Sequence, residues 1–271
     1  MTRVHQHKIR RLIAERTGLV LSHVLEQHVY EHIVIRTAES EAAGIDRYVE
    51  ALEDPHAMEW GDLLDLLLAH GEFDFDAGNR LQRALDRVAH VRARIPHIWI
   101  CGCGFGESAY SAAFFLAEQR DCREFPARIV ATDVHPDALA AASAGVYPLR
   151  CVTRMARDRA SRFFLRGTGG WSKFARVRSE YRQTIEFRRL DIGLPVWPAW
   201  GPFDVIFVTG KAFGQAGRPP LLIRQRLDSL LRDDGVVAWE PMPWNDRYEA
   251  QTSVPVRPTD RSARVKRRPT A

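Results

Sequence analysis

The stretch His97–Ser111, HIWICGCGFGESAYS, decides how the rest of the chain is read. A short apolar run, Ile98–Cys101, enters a turn in which Gly102, Gly104 and Gly106 alternate, and from Glu107 onward the pattern is helical. Strand, tight glycine turn and helix are how an α/β sheet holds a nucleotide-like ligand at the carboxyl end of its first strand. The spacing is G-x-G-x-G and not the G-x-G-x-x-G of dinucleotide sites. It suits S-adenosylmethionine, which needs close backbone approach but brings no pyrophosphate. The competing reading is a glycine-rich turn with no ligand.

Downstream, strands alternate with helices. Arg128–Thr132 predicts a second strand ending at Asp133, and Pro136–Ala144 a helix with proline in its first turn. Thr184–Arg188 and Phe203–Val208 read as strands, and Pro220–Leu231 as a helix. Asp234-Gly235 reads as a turn into a last strand, Val236–Trp239. Such alternation implies a mainly parallel sheet with right-handed crossovers. Residues 147–183 interrupt it with glycines and aromatics around short alternating stretches, which predicts a small antiparallel insertion.

Upstream, apolar residues at helical spacing predict helices over residues 2–16, Leu21–Ala38, Ile45–Leu52 and Trp60–His70. Val4, Ile9, Leu12 and Ile13 form the expected apolar face of the first helix. Asn79–Arg94 predicts a linking helix. The expected division is an N-terminal helical domain over 1–76, the linking helix over 77–96, an α/β domain over 97–245 and a disordered basic tail over 246–271.

Net charge is +5 over 271 residues, and the tail supplies it through Arg257, Arg261, Arg264, Lys266, Arg267 and Arg268. The body is close to neutral, so nucleic acid is not the expected partner. From Glu39 to Asp76 acids greatly outnumber bases, as in a solvated acidic face or a docking surface for a basic partner. No apolar run approaches the ~18–20 residues that cross a bilayer, so no membrane insertion is expected. The basic N-terminus lacks the apolar stretch of a secretory signal, and the cytoplasm is the expected compartment. Cys101 and Cys103, expected to point to opposite faces, form with Cys122 and Cys151 neither a disulfide framework nor a zinc pattern. His28 and His32 have i, i+4 spacing but no third ligand, so no metal is expected.

The cofactor-binding candidates are Gly102, Cys103, Gly104, Gly106, Glu107, Asp133, Asp191 and Ile192. A carboxylate at Asp133, at the tip of the second strand, can accept hydrogen bonds from two ribose hydroxyls. It could equally cap the helix that follows. Glu107 is placed to meet the ammonium of a methionine moiety, or simply to complement the helix dipole. Asp191, followed by Ile192, ends the third strand beside the expected adenine, where it contacts the amino group or faces solvent. No Ser-His-Asp set and no Walker motif are present. The catalytic residues are not assigned from sequence.

Two stretches carry a resemblance. CGCGFGESAYS (Cys101–Ser111) and ATDVHPDALAAASAGVYPL (Ala131–Leu149) are similar, in order and spacing, to the AGCSTGEEPYS and ATDI segments of the CheR-type chemotaxis receptor methyltransferases. The resemblance implies a Rossmann-like, S-adenosylmethionine-dependent methyltransferase sheet in the α/β class. It also implies a small N-terminal helical domain and a β-subdomain insertion that grips a receptor tail in some members. The implied cofactor is S-adenosylmethionine, and the implied reaction is methylation of glutamate side chains on the cytoplasmic helices of receptors or another signalling protein.

The chain departs from that pattern on the substrate side. The family's Phe-Phe-Arg segment corresponds to Gly71-Glu72-Phe73-Asp74-Phe75-Asp76, which has no arginine. Its Arg-Asn-Val segment corresponds to Thr209-Gly210-Lys211, and its second Glu and Pro to Ser108 and Ala109. The closing strands of the usual sheet are short or missing. Arg80, Arg83 and Lys211 are candidate cations to orient the substrate carboxylate. Alternatives to glutamate methylation are a catalytically degenerate S-adenosylmethionine-binding scaffold and a methyltransferase acting on another substrate.

Overall fold

The structure is a computed structural model that describes residues 1–17, 19, 21, 23–39, 44–70, 73–76, 78–89, 94–119, 127–198, 200–213 and 221–240. The expected basic tail lies outside the described residues, as does Cys122.

Four helices open the chain: α1 (Arg3–Thr17), α2 (His23–Glu39), α3 (Ile45–Ala51) and α4 (Met58–His70). They close on a core of their own, made by Ile9, Leu12 and Ile13 of α1, Val29 and Ile33 of α2, Tyr48 and Val49 of α3, and Trp60, Leu63 and Leu67 of α4. Val4 was expected on that face but is exposed, while its neighbour His5 reaches Asp46 of α3. The change to the next core falls between Leu67 and Phe73. Phe73 and Phe75 pack with α5 (Asn79–Ala89) against the sheet.

The sheet holds β1 (His97–Cys101), β2 (Arg128–Asp133), β6 (Ile185–Arg189), β7 (Phe203–Val208) and β8 (Leu231–Trp239) in the order β6-β2-β1-β7-β8. Every neighbouring pair is parallel. Alternation along β1 sends Ile98 and Ile100 into the core shared with α5 and α6 (Glu107–Gln119), and Trp99 and Cys101 into the core shared with α11 (Leu221–Ser229). Cys103 lies in the opposite core from Cys101, because the chain turns over at Gly102 between them. The helix α7 (Pro136–Ala144) starts on proline and ends on Gly145 in the left-handed conformation, φ 64°.

One expectation needs correction. Asp234-Gly235 is not a turn before the last strand; it lies within β8, where the pairing with β7 shifts register between Phe203 and Val205. A Cβ at Gly235 would stand 2.8 Å from the Phe203 carbonyl oxygen, so the shifted strand needs glycine there. The shift also brings Asp234 to Arg94, whose guanidinium binds the buried Asp204 as well.

The insertion contains the expected antiparallel sheet: β3 (Val146–Pro148), β4 (Phe164–Arg166) and β5 (Phe174–Val177), in the order β3-β5-β4. Short helices α8 (Leu149–Val152), α9 (Arg157–Phe163) and α10 (Ser179–Arg182) connect and flank it. Tyr147, Phe163 and Phe164 bind it to the main core through rings on Phe75 and Phe114.

Candidate cofactor-binding site

The carboxyl ends of β1, β2, β6 and β7 meet around the glycine turn. Gly102 and Cys103 donate their N–H groups to the carbonyl of Thr132 at 2.8 and 2.9 Å, which joins the tip of β1 to that of β2. Gly102, Gly104 and Gly106 have φ of 75°, 52° and 94°, a region that costs other residues strain. Space is short as well. A Cβ on Gly102 would meet the backbone nitrogen of Ala212 at 2.4 Å, and one on Gly106 the Tyr147 hydroxyl at 3.2 Å. The alternation of glycines is therefore required by backbone geometry at these positions.

Asp133 is 5% exposed at the end of β2. Its Oδ2 accepts the N–H of Gly104 at 2.8 Å. Its Oδ1 accepts the backbone N–H of His135 at 3.1 Å and the ring Nδ1–H at 2.6 Å. Burial pushes its pKa up, but the two His135 donors and the Gly104 N–H outweigh burial, and the carboxyl is held below its ordinary range. It is thus ionised at neutral pH. The helix-cap alternative is corrected in detail: the N-cap of α7 is His135, and Asp133 accepts that residue's own N–H.

Glu107 is the first residue of α6 and half-buried; it lies near Tyr147, whose phenol is raised by burial above all, with neighbouring Tyr110 and Glu107 adding to it. Beyond β6, Leu190 N–H donates to the Asp133 carbonyl at 3.0 Å, so the next two residues start beside the same corner. Asp191 is exposed, and its Oδ1 accepts Gly193 N–H at 2.8 Å in a local turn. Ile192 is buried and packs in the Trp99 core. At the end of β7, Thr209 donates its N–H to Cys101 and its hydroxyl to the Gly102 carbonyl, while Gly210 N–H reaches Glu240 Oε2 at 2.6 Å. The eight sequence candidates thus fall into three neighbouring loops at one edge of the sheet.

The candidate cations do not all reach that edge. Arg80 on α5 places Nη1 3.4 Å from the carbonyl of Trp239, the last residue of β8, so it stands at the carboxyl end of the sheet. Arg83 is exposed one turn along. Lys211 belongs to the turn Gly210–Phe213, but its side chain is outside the described residues. Asp76, in the stretch that lacks the expected arginine, pairs instead with Arg159 of α9 at 2.6 Å, and Arg159 also holds Glu118 at 2.6 Å. Glu118 lies eleven residues past Glu107 on α6, about 16 Å along the helix. Arg159 therefore does not stand in for the missing arginine.

Sequence reasoning missed His135, Thr209, Thr132 and Tyr147. Only His135 had a usable signal, its position before Pro136 at a strand tip. The Cys101 thiol is pushed up to about 12 by burial, and burial raises Tyr110 and Tyr147 as well. All three stay protonated at neutral pH. The edge offers carboxylates, that of Asp133 ionised, an apolar wall and backbone groups. Among the described residues, no three His, Cys, Asp or Glu side chains are grouped as a metal requires.

That set fits S-adenosylmethionine. Glu107 and Asp133 place two carboxylates beside the turn, one lone-pair position of Asp133 is still open, and the turn is too tight for side chains. No described helix is long and apolar enough to cross a membrane.

Comparison with known proteins agrees. Residues 77–212 match the family described as CheR methyltransferase, SAM binding domain. A chemotaxis protein methyltransferase of Klebsiella aerogenes is 29% identical over 75% of this chain and 70% of its own length. One of Escherichia coli is 27% identical over 86% and 82% of the two chains. A chemotaxis protein methyltransferase 2 of Pseudomonas aeruginosa is 37% identical over 54% and 52%.

Proposed function

Since this chain belongs to the CheR methyltransferase family, we propose that it methylates glutamate side chains on the cytoplasmic helices of chemotaxis or related signalling receptors. The observation that carries the reading is the glycine turn closed onto an ionised Asp133, the arrangement described above. S-adenosylmethionine, when bound, supplies a methyl group on a sulfonium. In this reading residues 97–245 hold it and residues 1–76 face the receptor, which places the reaction in the cytoplasm.

The chain's residues divide the work. Asp133 accepts the ribose hydroxyls, Glu107 faces the methionine ammonium, and Ile192 with Asp191 borders the adenine. Gly102, Cys103, Gly104 and Gly106 bring the backbone close. The incoming glutamate is already ionised at neutral pH, so no general base is needed. The rate is gained from alignment and from exclusion of water. Among the candidate cations with described side chains, Arg80 stands at the same end of the sheet and would orient that carboxylate.

Calorimetric titration with S-adenosylmethionine tests the binding half of this reading. Saturable binding is expected, weakened by at least about tenfold in Asp133→Ala through lost charge-assisted hydrogen bonds. No binding to the unsubstituted protein contradicts the proposal.

A further inference from the structure

Three donors hold the Asp133 carboxylate, and they differ in whether they can leave. The Gly104 N–H belongs to a turn pinned by Cys103 N–H on Thr132 and Gly106 N–H on Cys103, both at 2.9 Å. The His135 backbone N–H belongs to a helix cap, with Pro136 following and Leu139 N–H on the His135 carbonyl at 3.1 Å. The His135 ring is different. Among the described residues its hydrogen bond to Oδ1 is its only one, and its side chain is 18% exposed at the rim. It can turn away about its two side-chain torsions without moving backbone.

A carboxylate has about four lone-pair positions, and three are in use here. A ribose presents two vicinal hydroxyls, and only one position is open. We infer that the His135 ring is a positioning residue for the cofactor carboxylate: it holds Asp133 in the free protein and gives up its place to the second hydroxyl of a vicinal diol. The inference rests on the S-adenosylmethionine reading above. It implies discrimination. A ligand with a single ribose hydroxyl uses the open position and leaves the ring where it is; a diol must displace it.

The test is calorimetry with S-adenosylhomocysteine and with its 2′-deoxyribose counterpart, on the full chain and on His135→Ala and His135→Ser. The His135 side chain makes no cap hydrogen bond; serine can cap the helix and alanine cannot, so a change shared by both variants belongs to loss of the ring and not to the cap. Both variants are expected to bind the diol ligand about three- to tenfold more tightly, the net scale of one intramolecular hydrogen bond. Their affinity for the deoxy ligand is expected to stay within about twofold. In the unsubstituted protein, the proton resonance of His135 Nδ1–H should move on saturation with the diol ligand and stay in place with the deoxy one. Equal changes for both ligands, no change, or weaker diol binding overturns the inference while leaving the pocket standing. Absence of binding by all three proteins overturns the pocket reading and this inference with it.

Discussion

Tyr147, in the first strand of the insertion, donates its hydroxyl proton to the carbonyl of Phe105 at 2.6 Å. Both residues are 1% exposed. The insertion thus supports the glycine turn from behind, and the rings of Phe73 and Phe75 pack on Tyr147 with centroids at 5.3 and 4.8 Å. Removing the hydroxyl in Tyr147→Phe leaves a buried carbonyl short of its donor at a cost of about 1–3 kcal/mol. Thermal melting should fall by about 2–12 °C, and affinity for S-adenosylhomocysteine should fall with it. An unchanged melting temperature would show that the bond does not support the turn.

Gly102→Ala is expected to be far more damaging than its size suggests. The methyl group would overlap the Ala212 backbone at 2.4 Å, and φ of 75° is unfavourable for alanine. Strain of about 1–3 kcal/mol is added to the steric conflict. Gly170→Ala, where a Cβ meets nothing within 4 Å, is the control and should melt like the unsubstituted protein. Equal melting of the two variants would contradict the geometry of the turn.

The N-terminal helices are tied to the cofactor edge through Trp60, whose indole N–H donates to Asp137 Oδ2 at 2.9 Å in the first turn of α7. Arg16 lies over the same ring, 4.5 Å from its centroid. A double-mutant cycle of Trp60→Phe and Asp137→Ala, read by urea unfolding, should give a coupling of about 0.5–1.5 kcal/mol. A coupling near zero would mean that this hydrogen bond contributes no stability.

Acid should destabilise the fold in two stages. Burial lowers the pKa of His97 below its ordinary 6.5, against the opposing pull of the Pro202 backbone and Asp204. Asp133 is held below its ordinary 3.8. In both cases the unfolded chain takes up the proton first as pH falls, so the unfolded state gains and stability drops. The His97 contribution is present above about pH 6.5 and is lost below it; the Asp133 contribution is lost below about pH 3.8. Urea unfolding from pH 8 to pH 3 should show both losses, the first removed by His97→Gln and the second by Asp133→Asn. A flat profile across either window would contradict the corresponding assignment.

These residues also mark what the sequence could show. Helix α7 was legible to the residue because proline and glycine punctuate both ends, and Phe203–Val208 because its apolar run is unbroken. The start of β8 was not, since Asp-Gly is a strong turn signal and only the close approach to Phe203 shows that it sits inside a strand. At the site, the glycine spacing and the strand-tip acids placed the loops. The partners of Asp133 were hidden, because a side chain's choice among neighbouring donors depends on rotamers and tertiary proximity. Tyr147 is the same case: it reaches back forty-two residues to the turn it supports.

If this chain moves a methyl group from S-adenosylmethionine to receptor glutamates, the methyl can be followed as a label. The protein is incubated with methyl-labelled S-adenosylmethionine and a receptor cytoplasmic fragment, and label released from the fragment as methanol by mild alkali is counted. Alkali-labile label is expected on the fragment, reduced with Asp133→Ala at sub-saturating cofactor and absent when the fragment's methyl-accepting glutamates are changed to alanine. Saturable binding of S-adenosylmethionine with no label on the fragment would contradict methyl transfer to receptor glutamates.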